Sequence, residues 1–200
     1  MRRITVYCGS SGAAAPVYLD AARETGRTIA GLGLSLVYGG GATGLMGALA
    51  DAALESGGEV IGVTIDKFNS GELGHRNLTE LHVMDNIQDR KAKLMELSDG
   101  IIALPGGLGT FDELVEGLNW VQLGFHEKPI GLLNTNAYFD PFVSLLDHAL
   151  SEGFLYVGPA DLFISDSDPG RLLERLGSFR PKMNMTERWA KQARGAEEQI

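Results

Sequence analysis

The segment 104–116 reads Leu-Pro-Gly-Gly-Leu-Gly-Thr-Phe-Asp-Glu-Leu-Val-Glu, an apolar run that passes through three glycines and a threonine into an acidic helical start. Gly106, Gly107 and Gly109 strip side chains from the turn, so backbone N–H groups can close on an anion. The helix that follows aims the positive end of its dipole at the same point. With the Thr110 hydroxyl beside them, these groups suit a phosphate. A second turn of this kind, Val-Tyr-Gly-Gly-Gly-Ala-Thr-Gly-Leu-Met-Gly over 37–47, follows another apolar run and holds Gly39, Gly40 and Gly41. Two such turns suggest a phosphorylated ligand with two ends.

Carboxylates next to the first turn carry two readings. Thr110-Phe-Asp-Glu113 fits the Thr-x-x-Glu capping box, in which the acid only satisfies the helix start, and on spacing alone that reading leads. The other reading aims Glu113 at a ligand. Asp112 is adjacent, but successive helical residues diverge by about 100°, so the two carboxylates cannot face one site. Arg90 breaks two local rules at once. Leu94 and Leu97 lie four and seven residues on, which puts Arg90 on the apolar side of its helix and near the end where the dipole disfavours a cation. Such inconsistencies are enriched at functional positions, and a guanidinium there can contact a phosphate or ribose; pairing with a structural carboxylate is the alternative. Lys91 is either a solvated cation or a further phosphate contact.

Other chemistries lose support by absence of their signatures. His75, His82, His126 and His148 show no metal-ligand spacing and read as surface or satisfied core histidines. There is no Gly-x-Ser-x-Gly elbow, no Gly-Lys-Ser/Thr loop and no His-Glu-x-x-His. Gly39, Gly41 and Gly44 match Gly-x-Gly-x-x-Gly, a weak dinucleotide signal. Glu59 stands about 20 residues later, where a ribose-binding acid would be expected, and keeps that reading open.

The elements that must hold these residues alternate. Short β-branched runs at 4–7, 35–38, 60–65, 81–84, 101–104 and 130–133, with a weaker one at 162–165, predict strands. Helical periodicity fills 17–30, 45–55, 89–97, 111–123 and 138–151, with a last short helix after Pro169. This pattern predicts an α/β fold: a single Rossmann-like, doubly wound parallel sheet of about seven strands with helices on both faces, binding ligands at the carboxyl ends of its strands. Residues 66–79 have no periodicity and are long for a connection, which predicts a functional flap. The expected domain is 1–179, with 180–200 a polar tail.

Bulk properties narrow the partners. Two hundred residues, 44% hydrophobic and 22% charged, suffice for one sizeable core. The net charge is −9, and the tail carries five basic against three acidic residues, leaving −11 on the rest. A nucleic acid would be repelled, so a phosphate site is expected to be a local basic pocket for a small ligand. Cys8 is the single cysteine and reads as packed at a strand end, consistent with a reducing compartment. No apolar run approaches the roughly 20 residues needed to span a bilayer, and the first residues lack a signal-peptide core. A cytoplasmic protein without membrane partners is the expectation.

Taken together, Cys8-Gly9-Ser10-Ser11, Tyr38-Gly-Gly-Gly41 with Gly44-Leu-Met-Gly47, Arg90-Lys91 and above all Pro105-Gly-Gly-Leu-Gly-Thr-Phe-Asp-Glu113 resemble the Lonely Guy family of cytokinin-activating enzymes. Trp120-Val-Gln-Leu-Gly124 and Lys128-Pro-Ile-Gly-Leu-Leu-Asn134 extend the likeness, which runs from about Arg3 to about Ser178. The resemblance implies a phosphoribohydrolase that cuts the N-glycosidic bond of a nucleoside 5′-monophosphate, with free base and ribose 5-phosphate as products and no metal or redox cofactor. It implies a homodimer whose sites draw on both subunits. It assigns catalysis to Arg90 and Glu113, which reverses the capping preference. Substrate binding falls on Gly9, Ser10, Gly39, Gly40, Gly41, Glu72, Lys91, Gly106, Gly107, Gly109, Thr110, Asp112 and Asn119. Departures include Ile87-Gln-Asp before Arg90, Leu108 where a tyrosine is usual, and Asn119 where a threonine is frequent; these bear on base preference more than on reaction type.

Overall fold

Seven β-branched runs pair side by side, all parallel, in the order β4-β3-β2-β1-β5-β6-β7. The computed structural model describes residues 1–69 and 73–182. β1 (Arg3–Tyr7) lies at the centre between β2 (Ser35–Tyr38) and β5 (Gly100–Ala103); β3 (Val60–Ile65) and β4 (Glu80–Met84) extend one edge, β6 (Ile130–Leu133) and β7 (Ile164–Asp166) the other. Alternate side chains feed two cores, as a sheet buried on both faces requires. Ile4, Val6, Leu36, Tyr38 and Ile102 face one side, where α1 (Pro16–Gly31), α2 (Gly44–Glu55) and α7 (Pro169–Ser178) pack. Tyr7, Val37, Ile101 and Ala103 face the other, covered by α3 (Ile87–Leu97), α4 (Leu108–Leu123), α5 (Asp140–Ser151) and α6 (Pro159–Leu162).

The doubly wound sheet is thus as expected, and its winding fixes where a ligand can sit. From β1 the chain crosses by α1 to β2 on one side; from β5 it crosses by α4 to β6 on the other. The carboxyl ends of β1 and β5 therefore open a crevice at the point where the winding reverses. The Gly9 amide donates to the Pro105 carbonyl at 3.1 Å and stitches the two strand ends together below that crevice.

Boundaries differ from expectation by two residues or more in four places. Helix α3 starts at Ile87 rather than 89, because the Asn86 side chain caps it by accepting from the Asp89 amide at 2.9 Å. Helix α4 starts at Leu108 rather than 111, with Gly107 as its N-cap. Helix α5 starts at Asp140 because Asn136 and Ala137 both take positive φ and break the helical path. The weak strand expected at 162–165 lies at Ile164–Asp166, since Gly158 and Pro159 open α6, whose last residue is Leu162. Of the tail, 183–200 lies outside the described residues.

Candidate active site

In the turn that leads into α4, every carbonyl is occupied and the amides are left open. Pro105 O accepts from the Gly9 amide, Gly106 O from the Tyr138 hydroxyl, and Gly107 O from the Phe111 amide at 3.0 Å. The first-turn amides of Leu108, Gly109 and Thr110 have no partner among the described residues, as expected at a free helix N-terminus. At Gly107 and Gly109 an added Cβ would meet nothing within 4 Å, so the protein's own packing does not demand glycine there. At Gly106 it would lie 2.1 Å from Thr110 Oγ1, which places the threonine directly under the turn. The result is a mouth lined by hydrogen-bond donors at the positive end of a four-turn helix.

This geometry corrects the capping-box expectation. Because α4 begins at Leu108, Thr110 sits inside the first turn and caps nothing, and that turn carries no acidic side chain. Glu113 is instead 7% exposed and accepts from Arg90 Nη1 at 2.6 Å. Arg90, also 7% exposed, donates through Nε to Val63 O at 3.0 Å and through Nη2 to Gly39 O at 3.4 Å. One guanidinium thus ties the ends of β2 and β3 to a carboxylate on α4. Gly39 is glycine because a Cβ there would stand 2.2 Å from Arg90 Nη2. Burial pushes the Glu113 carboxyl up from the ordinary glutamate range, against the pull of the Arg90 charge.

The second glycine turn is built differently. Its helix, α2, has its first amides already engaged: Leu45 N and Met46 N both donate to Gly9 O, at 3.0 and 3.3 Å. Thr43 Oγ1 donates to Ser10 O at 2.8 Å, and Gly44 at φ 59° has no room for a side chain beside the Ser10 backbone. The expectation that both helix starts bind an anion is therefore corrected. The start of α2 holds the β1 loop, and of the two only α4 leaves the amides of its second and third residues free.

These pieces enclose a cleft of about 720 Å³. Gly9, Ser10, Gly39, Gly41, Arg90, Lys91, Gly106, Gly107, Gly109, Thr110, Asp112 and Glu113 all line it. Gly40 does not: its carbonyl accepts from the His75 amide at 2.9 Å behind the wall. Asn119 is exposed farther along α4 and stands outside the cleft of a single chain. Glu72 lies outside the described residues. The expected local basic pocket also takes another form, because both cations lining the cleft are neutralised. Lys91 bonds to Asp112 at 3.0 Å and to Glu116 at 3.1 Å. Its burial lowers the ammonium's pKa, but those two carboxylates outweigh that and hold it above the usual value. Holding an anion therefore falls to backbone amides and the helix dipole.

Described residues on either side of 70–72 reach the cleft. A 3₁₀ turn at Asp66–Phe68 is followed by a return stretch in which Ala42 N donates to Leu73 O at 2.8 Å and Gly41 bridges Gly74. His75, 8% exposed, reads as the satisfied histidine expected from sequence: it bonds Asp51 at 3.0 Å and accepts from the Asn77 amide. Phe68 and Leu73 line the cleft. Among the described residues no group of three His, Cys, Asp or Glu side chains is placed to hold a metal ion, and no helix is long and apolar enough to cross a membrane. Sequence reasoning missed Tyr138, Tyr18 and Met46, all on the cleft wall. Their only signal was aromatic or sulfur content in segments read as ordinary helix.

Comparison with known proteins fits this site. Residues 46–176 match a family described as "Possible lysine decarboxylase". Lys91, the lysine of the cleft, is held as an ammonium, whereas a lysine that forms imines must shed its proton. The chain is 48% identical over 155 residues to the cytokinin riboside 5′-monophosphate phosphoribohydrolase of Rhodococcoides fascians, covering 77% of this chain and 78% of that protein. It is 40% identical over 188 residues to the rice (Oryza sativa subsp. japonica) enzyme of the same name, covering 94% and 78%. Among solved structures it resembles the molybdenum cofactor binding protein of Rippkaea orientalis, with a TM-score of 0.66 and 25% identity over 88% of this chain and 96% of that one. On these matches the chain belongs to the Lonely Guy family of cytokinin riboside 5′-monophosphate phosphoribohydrolases.

Proposed function

We propose that this protein hydrolyses the N-glycosidic bond of nucleoside 5′-monophosphates, N6-substituted adenosine 5′-monophosphates among them, to free base and ribose 5-phosphate. The observation that carries the reading is the buried Arg90–Glu113 pair, which lines the same cleft as a turn whose free groups are all donors. The names of the relatives support the same reaction.

Breaking the bond from C1′ to the base sends its electron pair to the departing nitrogen and leaves positive charge on the ribose. Water supplies hydroxyl to C1′ and a proton to the base. A fixed carboxylate beside the ring stabilises that charge more than it stabilises the neutral ground state, and Glu113 takes this role. Arg90 holds Glu113 in place and opposes the rise in its pKa. The amides of 107–110 and the Thr110 hydroxyl grip the 5′-phosphate and so position the sugar, using binding energy remote from the reacting bond. Ser10, Lys91 and Asp112 line the approach to the ribose and base; the resemblance adds Glu72 and Asn119 as substrate contacts. No metal or redox cofactor enters these steps.

We further infer a cytoplasmic homodimer that binds neither nucleic acid nor membrane. Leu108 and Val115 on α4 and Leu145 on α5 are exposed and apolar, which supports a covering subunit, and the acidic charge supports the rest. Light scattering on the purified protein tests the dimer.

Chromatography of base released from AMP and from isopentenyladenosine monophosphate tests the activity: turnover of both is expected, with adenosine a poor substrate. The likeness to a cofactor-binding protein favours a second reading, a nucleotide carrier or sensor without turnover. Tight AMP binding by calorimetry with no base released over hours would establish that reading instead.

A further inference from the structure

We propose that Tyr138 is a positioning residue that fixes the anion-binding turn in its donor-outward state; this rests on the reading of that turn as the phosphate site. Its hydroxyl donates to the carbonyl of Gly106. That carbonyl and the Gly107 amide belong to one trans peptide unit, so they point in opposite directions, and holding one orients the other. The two residues flanking the unit are both glycines, with no Cβ to resist rotation of the peptide plane. A flip would turn the Gly106 oxygen toward the space the amide now faces and replace a donor by an acceptor, which repels an anion. The neighbouring carbonyls of Pro105 and Gly107 are held by backbone amides, of Gly9 and Phe111. The Gly106 carbonyl alone of the three depends on a side chain.

The surroundings of Tyr138 are built to hold that hydroxyl still. Its ring stacks on Phe111 of α4 at 6.4 Å and meets Tyr18 of α1 edge-on at 5.9 Å. The preceding residues, Asn136 and Ala137, take φ of 53° and 57°, a conformation that L-residues adopt only when surrounding structure compels it. Asn134 closes this turn onto the residues that follow it, accepting from the Phe139 amide and donating to Asp140 Oδ1. The strained turn delivers Tyr138 to the glycine turn from the neighbouring end of β6.

The test is Tyr138→Phe, which keeps the ring and its stacking and removes only the bond. Calorimetry with AMP and with adenosine, steady-state kinetics on AMP, and a thermal melt are run on both proteins. We expect AMP affinity to fall and KM to rise by about tenfold, with kcat within about twofold, adenosine affinity unchanged and the melting temperature within a few degrees of wild type. AMP binding unchanged in the variant, while wild type binds and turns over AMP, would overturn the role of Tyr138 and leave the proposed function standing. Equal loss of AMP and adenosine affinity would overturn it too, by showing general damage to the cleft. A wild type that neither binds AMP nor releases base would remove the function and this inference together.

Discussion

The two glycine turns of this protein look alike in sequence and differ in what their amides do. The turn at 37–47 has the Gly-x-Gly-x-x-Gly spacing, yet its helix N-terminus is filled by the Gly9 carbonyl, and Gly39 and Gly44 are small because Arg90 and the Ser10 backbone press against them. The turn at 105–110 lacks that spacing, but its carbonyls are engaged and its amides are free, and Gly107 and Gly109 border open space. A glycine pattern reports only that backbone must come close to something. Whether that something is the protein or a ligand depends on which hydrogen-bonding groups remain unspent.

Substitutions at the two turns and at the groups they serve separate these roles. The largest effect should come from the group the open turn serves: Glu113→Gln and Arg90→Ala should each cut base release from AMP by at least about 100-fold, read by chromatography. Arg90→Ala should also lower the melting temperature, since it strands a buried carboxylate. Wild-type turnover in both variants would end the catalytic assignment. Next comes a contrast between the turns. Gly107→Ala should leave the melting temperature unchanged and raise KM for AMP about tenfold, because its Cβ intrudes only on the ligand's space. Gly44→Ala should destabilise the fold by about 2 kcal/mol, because its φ is positive and its Cβ would stand 2.5 Å from the Ser10 carbonyl carbon. If the two variants exchange these outcomes, the comparison is wrong.

A smaller effect is expected in pH dependence. A carboxyl raised by burial keeps its proton to higher pH than a solvated glutamate, and the proposed chemistry needs the carboxylate. kcat/KM should therefore climb with pH through a limb lying above the ordinary glutamate value of 4.5 and fall away below it. Arg90→Lys, which loses the 2.6 Å contact, should move that limb further up; a limb that stays put would detach Glu113 from it. Smallest of all, Ala137→Gly should relieve a positive φ and stabilise by about 0.5–1 kcal/mol in a denaturant titration.

Much of the fold was legible because it rests on local signals. Buried parallel strands must be apolar along their length, and the runs at 4–7, 35–38, 60–65 and 130–133 match β1, β2, β3 and β6 nearly residue for residue. Arg90 stood out because it violated its helix's pattern, and the structure gives the reason: its guanidinium reaches Glu113 and the ends of β2 and β3. What was not legible depends on partners distant in the chain. Thr110 and Glu113 satisfy the capping-box spacing, and only the earlier start of α4 separates them from it. The Gly9 carbonyl that closes α2 lies on another loop. Tyr138 looked like the start of a helix, and nothing in its neighbours' types announced the positive φ values at Asn136 and Ala137.

The most direct test of the account is a crystal structure of the Glu113→Gln variant, which keeps the shape of the site, with AMP bound. The 5′-phosphate is expected within hydrogen-bond distance of the amides at 107–110, with the residue-113 side chain against the ribose and no phosphate at the α2 end of the cleft. A phosphate seated on the 37–47 turn, or a residue-113 side chain directed away from the sugar, would contradict it.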